Sequence, residues 1–447
     1  MTATTATTSA LVLPHGGPPD ARPARLLRDG VGVRVRDRAG RTYLDAAGGL
    51  DGVSLGHAHP DLVEAAARQL RRLPAGAVGH RQASDAAYHL AERLTATVPG
   101  FDQVYLDSCD SAAVDTAVRF ARYHHRAQGR PLRRRILAVE GALHGCTGFS
   151  AAASAQPAVS HGFADPDAGT VHLRRPPHRA DAGAATLVGE LVDELTAMIH
   201  ELGPDTVAAC VVEPVLTAAG ALVPPADYLP AIRAVLARHD ILLIADESVT
   251  GLRRTGPLTA TGVLDPPPDL LVLGPSLTSA HVPLAAVLVG PEVSASLTAG
   301  AAVVGGFGHG GPTAGHPLAC AVADRALDIL AEEETGRRVT ALADHLAGRL
   351  AGQADHPAVR EIRQEGLLAA YVLHPGDRAL PYDSVAHQAA ELAAERGLLV
   401  RAYASAVVLA PPLTVTVEEL DDMVARWDQA LRALPAAPAA VEPKGHW

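Results

Sequence analysis

Residues 269–290 read DLLVLGPSLTSAHVPLAAVLVG, two continuous apolar runs parted by a short break. A run such as residues 270–273 lacks the alternation of a strand with one wet face, and so predicts a strand covered on both sides. Gly274, Pro275 and Ser276 end that run, and apolar residues resume from 283 to 289. Two buried strands joined by a short loop require a sheet sandwiched between other layers. A chain of 447 residues can supply that core and at least two domains.

Residues 207–212 and 241–245 are further apolar runs of strand length. Strand patterns at 104–106 and 135–140 alternate with helical spacing at 114–123 and 230–239, which predicts a mainly parallel sheet with helices on both faces. Residues 31–45 alternate and then turn at 37–40, a hairpin signal. The Pro- and His-containing stretch 154–181 is expected to be a long irregular excursion. One long helical pattern runs from 319 to 350. Beyond residue 357, strands at 367–373, 398–401 and 407–410 and helices at 384–396 and 417–434 predict a smaller α+β unit. The expected divisions are a flexible arm at 1–30, a hairpin segment at 31–65, a large α/β domain at 66–320, a small C-terminal α+β domain at 321–434 and a tail at 435–447.

A formal charge of −11 with 19% charged residues favours solubility and argues against nucleic-acid binding, since no long basic block occurs. No apolar run approaches the roughly 18 residues of a membrane span, and the N-terminus lacks the charged and apolar regions of a signal peptide. Cys109, Cys146, Cys210 and Cys320 form no CxxC pair. A reduced, cytoplasmic protein with no metal site is the expectation.

Lys444 is the only lysine in the chain. A codon bias toward arginine thins out surface lysines. It does not remove a lysine that chemistry needs, because arginine stays protonated and forms no Schiff base.

Five ordered motifs carry a family resemblance: Gly56-His57 with His59-Pro60; Val212-Glu213-Pro214-Val215; Asp246-Glu247 with Thr250-Gly251 and Arg254-Thr255-Gly256; Gly315-His316-Pro317; and Ala410-Pro411-Pro412-Leu413. From residue 31 to 434 the chain resembles the class III aminotransferases. The resemblance implies an α/β fold-type-I architecture of the pyridoxal phosphate (PLP) enzymes, aspartate aminotransferase-like, with a mainly parallel large domain and a small α+β domain. It also implies a homodimer with sites at the subunit interface, acting on a small molecule.

The resemblance places Asp246 at the pyridine nitrogen of PLP. At the Schiff-base lysine it places Pro275. The glycine of the phosphate turn is Asp110, followed by Ser111, and a carboxylate there opposes phosphate. The ring-stacking aromatic is Leu143, in Leu143-His144-Gly145, and the valine under the ring is Ser248. The threonine that the partner subunit offers to the phosphate is Pro312, with Thr313 next to it. From these departures, no cofactor is expected, PLP binding having been lost with its contacts. Asp246, Asp110, His144 and Glu213 are the expected acid–base residues, in a pocket lined by Ser111, Leu143, Ser248, Pro275, Ser276, Pro312 and Thr313. Three readings stay open. One is a PLP-independent enzyme performing a cyclisation, elimination, isomerisation or condensation in specialised metabolism. Another is an inactive partner of a working aminotransferase or other biosynthetic enzyme. The third is an aminotransferase that holds pyridoxamine phosphate (PMP) without a covalent link, with a base such as His281. Alongside these, Asp246 and Glu247 can equally be framework carboxylates, and His144 a support for its own turn.

Overall fold

The computed structural model describes residues 11, 25–76, 78–79, 81–156, 163–165, 168–374, 384–403 and 405–434. Most of the expected arm and all of the expected tail lie outside these residues.

Seven strands form the central sheet: β4 (Gln103–Asp107), β5 (Arg135–Val139), β6 (Thr170–Leu173), β7 (Val207–Val212), β8 (Leu242–Glu247), β9 (Leu270–Leu273) and β10 (Ala285–Val289). Their order is β4-β10-β9-β8-β7-β5-β6. Only β10 runs against the rest, pairing antiparallel with β4 and with β9. Every residue of β7, β8, β9 and β10 is buried, as the unbroken apolar runs require.

The cover comes from helices on both faces. On one side, Val114, Ala117, Val118 and Ala121 of α3 (Asp110–Ala127) pack against Ile136, Ala209, Ile244 and Val272. On the other, Val188, Leu191, Leu195 and Ile199 of α5 (Ala184–Leu202) and Ile232, Val235 and Leu236 of α6 (Tyr228–Arg238) pack against Leu137, Cys210 and Leu243. Each fully buried Val, Leu or Ile contributes about 1.5–3 kcal/mol relative to exposure. Helices α1 (Pro60–Arg72), α2 (Asp85–Thr97) and α4 (Gly148–Ala153) lie earlier in the chain.

The hairpin β2 (Arg34–Asp37) and β3 (Thr42–Asp45) turns where expected, and β1 (Leu27–Val31) pairs with β2, so ordered structure starts inside the stretch assigned to the arm. Strand β3 also pairs in parallel with β13 (Leu398–Leu399), which ties the N-terminal segment to the C-terminal unit. That unit holds an antiparallel sheet in the order β11 (Val359–Glu365), β12 (Leu368–Leu373), β15 (Ala406–Leu409), β14 (Arg401–Tyr403). Strand β6 lies inside the stretch expected to be irregular. The long helical pattern is two helices, α8 (Pro317–Ala331) and α9 (Glu333–Ala351), because Glu332 adopts φ −58° and ψ 135° between them. Helix α7 (Pro291–Val304) precedes this pair, and α10 (Val385–Glu395) and α11 (Val417–Arg432) follow it. No described helix is long and apolar enough to cross a membrane.

Candidate active site

Four neighbouring parallel strands, β5, β7, β8 and β9, end on the same edge of the sheet. Open α/β sheets place ligand groups at this edge. Asp246 is the penultimate residue of β8 and is buried. Its Oδ2 lies 2.8 Å from His144 Nδ1, and its Oδ1 accepts from Ser248 Oγ at 2.6 Å and from Ser248 N at 3.1 Å. Glu213, just past β7, accepts from the backbone of Leu143 at 2.7 Å and of Thr217 at 3.2 Å. Glu213 thereby positions the Leu143-His144 turn, and His144 orients Asp246.

The Asp246 charge acts on both of its neighbours. Burial opposes the charged imidazole of His144, but the hydrogen bond and charge of Asp246, with Glu213, outweigh it and raise His144 above its ordinary value. Burial pushes the Glu213 carboxyl up to about 7, the Asp246 charge adding to the rise and His144 opposing it. Glu247 plays a different part. It accepts from Ala260 N, Thr261 N and Thr261 Oγ1 at 2.6, 2.7 and 2.5 Å and so anchors the following loop. Glu247 is framework; Asp246 faces the site.

Asp110 and Ser111 open α3 beside this group. Asp110 Oδ1 accepts from Ser111 N at 2.8 Å, and Ser111 Oγ accepts from Cys146 N at 3.2 Å. The Asp110 carboxyl is raised, first by burial and then by the Asp246 charge, while the Ser111 N–H and Arg401 act the other way. Beyond β9, Gly274 passes so near Ser248 that a Cβ on it would meet the Ser248 backbone oxygen at 2.7 Å and its Cα at 2.8 Å. This close approach brings Pro275 and Ser276 to the site. Ser276 Oγ and His144 Nε2 are both buried without a hydrogen-bond partner.

Three further residues join the cluster that the sequence did not single out. Asp51 forms an ion pair with Arg401, and Tyr403 OH donates to the same Asp51 oxygen at 3.3 Å. The Arg401 guanidinium lies 4.5 Å from the centre of the Tyr403 ring. Arg401 carries its raised pKa despite burial because of Asp51, Tyr403 and, further off, Asp110. No local pattern could have found this pair, since 350 positions separate its members.

Other expected residues fall elsewhere. Pro312 and Thr313 lie exposed on the loop ahead of α8. Both nitrogens of His281 serve its own loop: Nδ1 lies 2.9 Å from Ser279 O, and Nε2 accepts from His59 N at 3.2 Å. That leaves no nitrogen free for the role of base. Cys109 and Cys146 are exposed, and Cys210 and Cys320 are buried. Two open clefts of about 670 and 660 Å³ include none of the site residues.

A mainly parallel sheet, helices on both faces, and a buried aspartate at the carboxyl edge define a fold-type-I PLP enzyme architecture. The chain belongs to the class III aminotransferase family, matching Aminotransferase class-III over residues 18–431. It is 34% identical over 440 residues to the probable gamma-aminobutyrate transaminase 4 of Oryza sativa subsp. japonica, covering 94% of this chain and 90% of that one. It is 35% identical over 416 residues to the vanillin aminotransferase of Capsicum frutescens, covering 90% of each. In structure it is similar to the omega transaminase of Pseudomonas jessenii in complex with PMP, with a TM-score of 0.87, 32% identity, and 91% and 92% of the two chains covered.

These likenesses overturn the expectation that no cofactor is used. Class III aminotransferases use PLP, the chain matches that family over residues 18–431, and one similar structure holds PMP. The altered contacts do not amount to a lost site, because the donor set fits the ring end of such a cofactor. Asp246 is buried, oriented from both sides, and retains acceptor capacity, since a carboxylate offers about four lone-pair positions. At the phosphate end, the α3 N-terminus and Ser111 supply N–H and hydroxyl groups, although Asp110 already engages the Ser111 N–H.

Proposed function

We propose that the chain is an enzyme acting on a small amine or carbonyl compound, and that it holds PLP or PMP by contacts alone, without a lysine linkage. The observation that carries this reading is the Asp246–His144 pair at the ring position in a chain whose only lysine is Lys444. The resemblance puts Pro275 where that lysine is sought. When bound, the cofactor supplies an electron sink for a carbanion at the substrate.

The chain's own residues bind, orient and move protons. Asp246 holds the ring nitrogen, with His144 and Ser248 fixing the direction of its carboxylate. Leu143 and Ser248 would lie beside the ring, and Ser111 with the first amides of α3 would hold the phosphate. With no lysine in the site, proton transfer falls to the acid–base side chains gathered there. Asp110, half-buried and raised, is the accessible one; Glu213 and His144 are enclosed. The same reading makes the protein a homodimer, with the loop bearing Pro312 and Thr313 turned toward the second copy.

The test is titration of the purified protein with PMP by equilibrium dialysis, followed by borohydride treatment with PLP and intact-mass measurement. Saturable PMP binding is expected, with any covalent increment confined to Lys444 or the terminal amine, which PLP and borohydride label without a site. Absence of saturable binding, or loss of PMP binding in Lys444→Arg, rejects the reading.

A further inference from the structure

Asp107 ends β4, and Asp110 opens α3 shortly after it. The connection between them sets where Ser111 and the first amides of α3 point, the groups assigned to a phosphate. Asp107 braces it from two sides. Its Oδ1 accepts from Ser108 N at 2.8 Å, and its Oδ2 accepts from Thr116 Oγ1, further along the helix, at 2.9 Å. The Thr116 side chain is buried, and the same hydroxyl lies 2.9 Å from His309 Nε2. A hydroxyl has one proton, and a carboxylate only accepts. Thr116 therefore donates to Asp107 and accepts from His309, which puts the imidazole proton on Nε2.

His309 comes from a distant part of the chain, the glycine-rich segment 305–311 between α7 and α8. The other residues of that segment are exposed, whereas His309 is half-buried. Its ring stacks on Tyr105 of β4, with centres 5.2 Å apart and planes at 26°, and meets Phe120 of α3 edge-on at 5.9 Å. Burial, helped by Arg119, lowers the imidazole below its ordinary value against the pull of Asp107. The ring is thus neutral at neutral pH, and it carries its one proton toward Thr116. A stretch of glycines loses much conformational freedom when it is ordered. One imidazole, seated between a buried hydroxyl and two aromatic rings, fixes this stretch against β4 and α3.

We propose that His309 is a positioning residue for the phosphate end of the site: through the Thr116 hydroxyl and Asp107 it clamps the 305–311 segment to the β4–α3 connection and holds Ser111 and the first amides of α3 in the arrangement that takes a phosphate. The proposal rests on the reading that the chain holds PLP or PMP by contacts alone. Without a covalent link, affinity depends wholly on how well those contacts are fixed, and such sites tolerate displacements of only about 0.5 Å. His309 acts through Thr116 and touches no reacting atom.

The test measures, by equilibrium dialysis of the full chain, the affinities for PMP and for pyridoxamine, which lacks the phosphate. Thr116→Val keeps the shape and removes the hydroxyl, and His309→Leu removes the donor. In both, PMP is expected to bind at least about tenfold more weakly, with pyridoxamine affinity unchanged. Thr116→Ser keeps the hydroxyl, and His309→Gln keeps an N–H donor without the ring; both are expected to retain wild-type PMP affinity. Deuterium exchange of residues 305–311 should quicken in the valine and leucine variants and not in the serine and glutamine ones. Unchanged PMP affinity in the folded valine and leucine variants, an equal loss of both probes, a serine variant that behaves as the valine one, or unaltered exchange overturns the proposal. Should Thr116→Val fail to fold, the two variants of His309, a half-buried loop residue, carry the same expectations. A wild-type protein that binds no PMP rejects the cofactor reading and this proposal together, whereas bound PMP with unmoved variants rejects this proposal alone.

Discussion

His144 Nδ1 lies 2.8 Å from Asp246 Oδ2, with the two side chains 0% and 3% exposed. A pair so enclosed gains little from attraction alone, because both partners lose water. Its value is orientation. His144 holds one carboxylate oxygen and Ser248 the other, so the group at the carboxyl edge of the sheet points one way.

Asp246→Asn should therefore lower stability by roughly 2–4 kcal/mol, since it removes one partner of a buried pair. It should also weaken PMP binding by at least about tenfold, through loss of the charge facing the ring nitrogen. Urea unfolding and equilibrium dialysis report the two effects separately. PMP affinity equal to wild type in a folded variant would remove Asp246 from the cofactor site.

Glu213 makes a prediction about pH. Its folded pKa is about 7, raised from 4.5 chiefly by burial. The folded state thus holds its proton where the unfolded state has released it, and stability falls as pH rises between those values. Glu213→Gln cannot titrate. The stability advantage of wild type over the variant should be greatest near pH 5 and should shrink by pH 8. Melting temperatures measured across that range check the trend, and a widening gap would contradict the assignment.

Asp110→Asn keeps an oxygen to accept the Ser111 N–H, so that hydrogen bond at the start of α3 should remain. Removing the negative charge beside a helix N-terminus favours a bound anion. PMP should bind several-fold more tightly, about tenfold at most, and the gain should diminish at high salt. Weaker binding in the variant would mean that Asp110 supports the phosphate end.

Gly52→Ala places a methyl group 3.0 to 3.1 Å from Pro275 and Ala280. The proline ring cannot swing aside, so crowding should cost about 1–2 kcal/mol. Chemical unfolding of the variant measures this, and an unchanged midpoint would show that the 48–52 turn moves freely over the loop after β9.

The buried strands could be read directly from the chain. Strands β7 to β10 are apolar at almost every position because helices cover both of their faces. Strands β6 and β11 were missed: β6 carries His172 at the sheet edge, and β11, with Arg360, Arg363 and Glu361, mixes charge into a terminal strand of the small sheet. Of the site, Asp246, His144, Ser248, Glu213 and Asp110 were legible because each sits in a motif at a strand or helix end. The expectation about the cofactor failed for a definable reason. One altered motif position bears on a single contact, whereas recognition of ring and phosphate is spread over separate groups, and Asp246 and Ser111 are among those present.

By itself, the sequence determined the architecture: which segments are covered on both faces, where the chain turns, and that no lysine precedes the last few residues. Only the tertiary structure decided what the polar residues face. Burial depends on local pattern and can be read from neighbours in the chain. Charge pairing depends on which distant segments meet, and Asp51 with Arg401, one on a turn of positive φ and the other in the last sheet, come together only when the two ends of the chain pack on one edge.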